Sequence, residues 1–179
     1  MKGIVFNEFV SLVEAKFGDM VLDQVITEGA PESGGAFTTA GYYDHAELVA
    51  MVVALSKVTG VAAGDLVRAF GQHLFGKLIR IPSMQHAEFA SAYDFLARVD
   101  DVIHVEVVRL YPDAELPKLE TRKTEDGGFE LIYRSRRRLA DLAHGMVEGC
   151  LAHYQSPAKI VRTELPDEGS YQVVRFNIS

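Results

Sequence analysis

The stretch LETRKTEDGGFELIYRSR, residues 119–136, marks the point where the chain changes from a helical to an extended pattern. Apolar and polar residues alternate in LETRKT and in GFELIYRSR, which is typical of β-strands, and EDGG between them indicates a hairpin turn. Two later segments, AKIVRTEL and YQVVRFNI, have the same character. The C-terminal part of the chain therefore predicts four short antiparallel strands.

The residues before Pro112 have a different pattern, because their apolar side chains recur at spacings of three and four, which predicts helices. Asp44 and Glu47 have the spacing of a capping box, so we expect a helix from about 45 to 58, followed by another near 63 to 78.

A long or broken helix is expected over MQHAEFASAYDFLARVDDVIHVEVVRLYP, residues 84–112. Between the second and third strands, RLADLAHGMVEGCLAHY has helical spacing and predicts one inserted helix. The predicted fold class is α+β, with a helical N-terminal part followed by a four-stranded antiparallel sheet that carries the inserted helix. We expect a single domain over residues 1–179.

Composition excludes several classes of function. The formal net charge of −7 disfavours nucleic acid as a partner. No run approaches the roughly 18 apolar residues of a membrane span, and Glu8 and Glu14 interrupt the N-terminus in a way that signal peptides do not. We therefore expect a cytoplasmic protein that does not associate with a membrane. The one cysteine, Cys150, excludes an internal disulfide, and its apolar neighbours predict a buried side chain.

YRSRRRL, residues 133–139, places four arginines in five positions of an acidic chain. If this segment is extended, Tyr133, Ser135 and Arg137 point to one face and the arginines between them to the other. Successive members of the first face then lie about 6.5 to 7 Å apart, which suits a ligand with two separated carboxylates. The alternative is a sheet edge kept soluble by arginine, which leaves the tyrosine and the serine unexplained.

The chain has six histidines, each of which is a possible metal ligand. His104, within VIHVEVV, is the one expected to project into an apolar interior, and His144, within LAHGMVEG, is the second candidate. For either residue, a hydrogen-bonded role in the core is the alternative to metal binding. The remaining four have the character of surface or packing residues: His45, His73, His86 and His153.

The segment HVEVVRLYPDAELPKLE at 104–120, followed by YRSRR at 133–137, resembles the haem-nitric oxide/oxygen binding (H-NOX) family. The opening MKGIVFNEFVSLVEAKFG is similar to the first helix of the family, and the lengths agree, so the resemblance covers essentially the whole chain.

The resemblance implies a haem between the helical part and the sheet, with His104 as the axial iron ligand. It further implies that Tyr133, Ser135 and Arg137, as the Tyr-x-Ser-x-Arg motif, hold the haem propionates, and that Pro117 presses on the porphyrin and distorts it. The haem should be haem b, held without covalent attachment, because the sequence lacks Cys-x-x-Cys-His.

Family members that hold oxygen do so with a tyrosine about five residues beyond the motif arginine, and here that position is Leu142. Similarity to the family assigns four more residues to the gas-facing pocket, and all are apolar: Val5, Phe9, Leu74 and Leu78. The resemblance therefore implies binding of nitric oxide and carbon monoxide with discrimination against oxygen. His144, two residues past Leu142, is the alternative hydrogen-bond donor.

These observations favour a haem-based gas sensor that is not an enzyme. The sequence contains no kinase, cyclase or DNA-binding segment, and it resembles the stand-alone bacterial members, which dock onto histidine kinases or cyclic-di-GMP enzymes. One alternative is an adapter whose arginine-rich strand binds a phosphorylated or nucleotide partner. Another is an enzyme that uses His104 with Asp100 or Asp101, although aspartates at such positions more often serve solvation.

Overall fold

The structure of the chain, a computed structural model, describes residues 1–81, 89–125 and 127–179. Helices form the N-terminal part: α1 (Gly3–Phe17), α2 (Asp19–Gly29), α3 (His45–Thr59) and α4 (Ala63–Leu78). Three shorter segments follow: α5 (Ala92–Ala97), a π-helical segment (Val99–His104) and α6 (Val105–Leu110). The C-terminal part comprises β1 (Lys118–Lys123), β2 (Phe129–Ser135), α7 (Ala140–His153), β3 (Ile160–Glu168) and β4 (Tyr171–Ile178). The predicted α+β class is confirmed.

Helix α3 begins as the sequence predicts, because the Asp44 carboxylate accepts a hydrogen bond from the Ala46 amide at 2.9 Å. The side chain of Glu47 does not reach back to Asp44, as a capping box would require. The Glu47 carboxylate accepts hydrogen bonds from the amide and the hydroxyl of Ser33, at 3.4 and 3.2 Å. Glu47 therefore fastens the segment between α2 and α3 onto the start of α3.

The helix predicted over residues 84–112 is broken. Its first part, including His86, lies outside the described residues, and the rest forms α5, the π-helical segment and α6. A π-helical turn within a helical region is rare and often coincides with a functional site. Here the π-helical segment ends at His104.

The four strands form one antiparallel sheet in the order β1-β2-β4-β3, which confirms the predicted sheet. Strand β2 pairs with β1 on one side and with β4 on the other, so it is an inner strand. The sheet-edge explanation for its arginines is therefore wrong. Strand β2 is also shorter than the predicted GFELIYRSR, because it ends at Ser135 and a turn begins at Arg136, so the alternation considered for residues 133–137 stops before Arg137.

Two apolar clusters hold the molecule together. The helical core is formed mainly by α1, α3 and α4 and contains, among others, Phe6, Phe9, Met51, Leu55, Phe70 and Leu74. The sheet core lies between the sheet and helices α5 and α7 and contains, among others, Phe95, Phe129, Leu131, Tyr133, Cys150 and Phe176. Met146 of α7 packs against both cores, so this helix joins the two parts.

Helices α4 and α7 cross closely at two glycines. A Cβ atom added at Gly145 would overlap the carbonyl oxygen of Arg68, and one added at Gly71 would overlap that of Leu142. The crossing is also held by polar contacts, because Glu148 on α7 accepts from the Arg68 guanidinium and, at 2.8 Å, from the Gln72 amide. This packing fixes the position of α7 relative to the helical core.

Among the described helices, none is long and apolar enough by itself to cross a membrane. Helices α3 and α4 meet the length and composition criteria only when taken together, and they are bent by 115° with respect to each other.

Candidate functional site

His104 lies where the π-helical segment meets α6, and its side chain is 17% exposed. The preceding residue, Ile103, packs against the sheet core. Burial lowers the pKa of His104, opposed by the charge of Asp100, so the imidazole is neutral near pH 7, which is the form that binds a metal. His104 Nδ1 lies 2.7 Å from Asp100 Oδ1. This contact leaves Nε2 as the ring nitrogen available to a ligand.

Asp100 was considered from the sequence only as a catalytic partner of His104, and a solvated side chain was favoured over that role. The Asp100 carboxylate instead contacts His104 with one oxygen and accepts a hydrogen bond from the Leu119 amide with the other, at 3.0 Å. Asp101, its neighbour, is exposed. The available signal was the spacing of four residues between Asp100 and His104, which is that of a helical ion pair.

Tyr133 and Ser135 are both buried at the end of β2. The Tyr133 hydroxyl accepts a hydrogen bond from the Leu139 amide at 3.2 Å, and burial raises the pKa of Tyr133, which keeps the hydroxyl neutral. The Ser135 hydroxyl accepts from the Arg137 amide, also at 3.2 Å. The two side chains thus point into the protein on one face of the strand, as the alternation predicts.

Arg137 reaches this region from the turn that follows β2, with a side chain that is 18% exposed. Its guanidinium lies 3.1 Å from the carboxylate of Glu115, which is 80% exposed. The neighbouring arginines point elsewhere: Arg136 stacks over the ring of Tyr171, and Arg138 pairs with Asp167. The sequence predicts a solvated surface for the three arginines outside the motif, and this is confirmed for Arg136 and Arg138, which are exposed. It is wrong for Arg134, which is 20% exposed and pairs with Glu120 and Glu168.

Pro117 precedes β1 directly, and the register of the sheet fixes its neighbourhood. Lys118 pairs with Arg134 and Leu119 with Tyr133, so Pro117 lies beside the Ser135 end of β2. Pro117 and the Tyr-x-Ser-x-Arg motif therefore lie at the same end of the sheet. Leu119, which donates to Asp100, connects this end to the contact between Asp100 and His104.

A second cationic group lies near Arg137. The α-amino group of Met1 donates to the Tyr43 carbonyl oxygen at 2.6 Å. Burial and the charge of Arg137 lower the pKa of this amino group, whereas Asp44 and Glu115 raise it. The end of β2 thus holds cationic groups together with the carboxylates of Asp44 and Glu115.

The five residues expected to face the gas all belong to the helical core: Val5, Phe9, Leu74, Leu78 and Leu142. Phe9 and Leu74 are buried within it, and the other three are partly buried and pack against it. All five side chains are apolar, so this surface offers a small ligand no side-chain hydrogen bond.

His144 does not join the cluster of Leu142, although the two residues are close in sequence. Its ring lies 5.4 Å from that of Phe176 on β4, and its Nε2 atom lies 3.8 Å from the Glu148 carboxylate. Burial, followed by the charge of Arg68, lowers the pKa of His144, so the ring is neutral. In the part of the chain that the structure describes, His144 therefore faces the sheet.

Comparisons with known proteins agree with this arrangement. The sequence profile of the Haem-NO-binding family matches residues 2–162. The H-NOX protein from K. algicida, solved in its unliganded Fe(II) form, is 32% identical, with a TM-score of 0.88 over 100% of this chain and 97% of that chain. The H-NOX from Shewanella woodyi, solved with IWP-051 in the Fe(II)CO state, is 38% identical, with a TM-score of 0.80 over 100% of this chain and 94% of that chain.

A third structure, the H-NOX protein from S. oneidensis in the Fe(II)NO state, is 27% identical, with a TM-score of 0.85 over 100% of this chain and 99% of that chain. The fold is therefore that of the haem-based gas sensor domains. The chain belongs to the H-NOX family.

Proposed function

We propose that this protein is a cytoplasmic haem-based sensor that binds nitric oxide and carbon monoxide, discriminates against oxygen and regulates a separate signalling protein. Family membership and the nitric oxide and carbon monoxide states of its relatives support the proposal. The observation that carries it is a chain of contacts. His104 lies against Asp100, Asp100 accepts from Leu119, and Leu119 pairs with Tyr133 of the Tyr-x-Ser-x-Arg motif.

The cofactor we propose is haem b, and the residues present fit it. A half-buried, neutral His104 with one nitrogen already engaged offers the other nitrogen to iron. Arg137 already contacts a carboxylate, that of the exposed Glu115, and a propionate has the same chemistry. The buried hydroxyls of Tyr133 and Ser135 supply further polar contacts. When bound, the haem would supply a ferrous iron to which a gas can bind.

Selectivity would follow from the side chains that line the proposed gas-facing pocket. Oxygen at a ferrous iron would carry partial negative charge, and a hydrogen bond to a charged group contributes about 1.5 to 3 kcal/mol. Leu142 and the other gas-facing residues offer no such donor, and His144 faces β4. We therefore expect the protein to bind oxygen about 10- to 100-fold more weakly than a protein with such a donor. Nitric oxide and carbon monoxide depend far less on a donor.

Regulation of a partner requires two states of the protein that the gas distinguishes. We propose that a bound haem would be held by His104 and contacted by Pro117, and that gas binding would act through these two residues to shift the helical part relative to the sheet. The position of Pro117 beside the end of β2 supports this role. The proposed partner is a histidine kinase or a cyclic-di-GMP enzyme. An adapter function is less well supported, because Arg134 lies on an inner strand and pairs with Glu120 and Glu168, and because Tyr133 and Ser135 are buried.

The proposal is tested by the visible spectrum of the purified protein. We expect a Soret band, and in the reduced protein we expect spectral changes with nitric oxide and carbon monoxide but no oxygen complex in air. His104→Gly should bind haem poorly unless imidazole is added. A normal five-coordinate ferrous spectrum in His104→Gly, together with its loss in His144→Gly, would show that the ligand is His144.

A further inference from the structure

Asp100 has two contacts that distinguish it from the other acidic residues around His104. Its Oδ1 atom lies 2.7 Å from His104 Nδ1, and its Oδ2 atom accepts the Leu119 amide hydrogen at 3.0 Å. Its side chain is 33% exposed, and that of His104 is 17% exposed, so water screens the pair only in part.

The backbone explains why Asp100 is the acidic residue in contact. Both residues belong to the π-helical segment Val99–His104, and a π-helical turn takes in more residues than an α-helical turn. Residues four apart are therefore brought nearly above one another. Asp101 carries the same charge one position later, but its side chain is exposed.

We infer that Asp100 is a positioning residue: its carboxylate holds Nδ1 of His104, directs Nε2 toward the cofactor and ties the imidazole to the first residues of β1. This inference rests on the proposed haem function. A carboxylate that accepts from the far nitrogen of a ligating histidine fixes the tautomer and orientation of the ring and makes the ligand more basic. Leu119 lies two residues beyond Pro117, so the same carboxylate connects the two groups proposed to contact the haem from this side.

The test is Asp100→Asn in the haem-loaded full chain. Asparagine keeps the size of the side chain and removes its charge, so it weakens the contact to His104 while retaining an oxygen for the Leu119 amide. We expect resonance Raman of the ferrous protein to show a lower iron–His104 stretching frequency. We also expect a higher iron reduction potential and haem loss that is about 10- to 100-fold faster than in the wild type.

Asp101→Asn is the matched control, because it removes the same charge one residue away. It should leave the stretching frequency unchanged. Equal frequencies in the wild type and in Asp100→Asn overturn the inference. So does a rise in potential that both variants share without a change in frequency, since that is an effect of net charge alone.

If Asp100→Asn retains too little haem for Raman spectroscopy, a second measurement, made on the wild type, tests the same contact. In the diamagnetic carbon monoxide complex of the wild type, the proton on His104 Nδ1 should be strongly shifted downfield by its hydrogen bond. A proton in rapid exchange with water overturns the inference. A wild type with no Soret band would instead refute the proposed function, so the two failures are distinguishable.

Discussion

Leu142 is the residue on which the proposed gas selectivity depends. Replacing it with tyrosine introduces a hydroxyl donor at a position that packs against the helical core. A hydrogen bond to a partly charged ligand contributes about 1.5 to 3 kcal/mol, so Leu142→Tyr should raise oxygen affinity about 10- to 100-fold. The measurement is an oxygen titration of the ferrous protein, followed in the visible spectrum.

Leu142→Phe provides the control for this substitution, because it adds an aromatic ring without a hydroxyl. It should form no stable oxygen complex. If both variants gain oxygen affinity equally, the shape of the pocket and not hydrogen bonding determines selectivity. A stable oxygen complex in the unaltered protein would show that some hydrogen-bond donor does face the gas, contrary to the proposal.

Arg137 and Arg136 are adjacent in sequence but differ in environment. Arg137 is largely buried beside Glu115, whereas Arg136 is exposed over Tyr171. Arg137→Ala would leave a partly buried propionate unpaired, which should weaken haem binding by about 1 to 3 kcal/mol. We expect this variant to transfer haem to an apo-globin acceptor faster than the wild type, and Arg136→Ala to transfer it at the wild-type rate. Equal acceleration in both variants would contradict the assignment of Arg137.

For single residues, the Tyr-x-Ser-x-Arg motif allowed the sequence to predict which side chains point into the protein. Tyr133 and Ser135 are buried on one face because strand alternation is a local property. Arg137 points inward for another reason, since the turn after Ser135 redirects its side chain toward Glu115. The spacing of four residues between Asp100 and His104 is visible in the sequence, but the π-helical turn that contains both residues was not predictable, because periodicity does not distinguish such a turn from an α-helix.

Among the elements, the crossing of α4 and α7 carries the sharpest prediction. Gly145 lies so close to α4 that a Cβ atom would overlap the Arg68 carbonyl oxygen, which is backbone and cannot rotate away. Gly145→Ala should therefore lower the free energy of unfolding by about 1 to 3 kcal/mol, as overpacking does. Urea denaturation followed by circular dichroism measures the change.

Gly76, on the same helix α4, is the matched control. A Cβ atom added there meets nothing within 4 Å. Gly76→Ala should raise the free energy of unfolding by about 0.5 to 1 kcal/mol, because alanine restricts the unfolded chain more than glycine does. Destabilisation of similar size in both variants would indicate that helix packing does not explain the effect at Gly145.

The helices and strands were predictable to the extent that local signals define them. The bounds predicted for α4 match the structure, because the apolar spacing continues through the whole helix. Glu47 departed from its predicted capping contact because Ser33 offers it two donors from a neighbouring segment. The early end of β2 is likewise set by the turn that leads into α7, which a strand pattern does not encode.

For the whole molecule, the proposed cofactor should contribute to stability. A ligand that binds only the folded state stabilises it by about 4 kcal/mol when present at 1,000 times its dissociation constant. For a chain of this size, each 1 kcal/mol shifts the melting temperature by about 2–4 °C. We therefore expect the haem-loaded protein to melt about 8–16 °C above the apoprotein, as measured by circular dichroism.

His104→Gly should lose most of this difference, and imidazole should restore part of it. If the loaded protein and the apoprotein melt at the same temperature, haem does not bind preferentially to the folded state, and the proposed site is incorrect.

The architecture was predictable as a class, since helices before Pro112 and alternating strands after it define an α+β protein. The order of the strands was not predictable, because it depends on which strand edges remain available once β1 and β2 have paired. The two cores were also not evident, because Met146 contacts both of them from one helix whose sequence shows a single apolar pattern.

The strand order has a consequence for biosynthesis. Strand β4 lies between β2 and β3 in the sheet, yet it follows both of them along the chain. While a ribosome is still making residues 171–178, β2 lacks one of its two partners, and β3 has not met the strand with which it pairs. The helical core, apart from its contacts with α7, can already assemble from residues 1–78. We therefore expect the proposed haem to enter only after β4 has been made, into a chain whose helical half is folded and whose sheet has just closed.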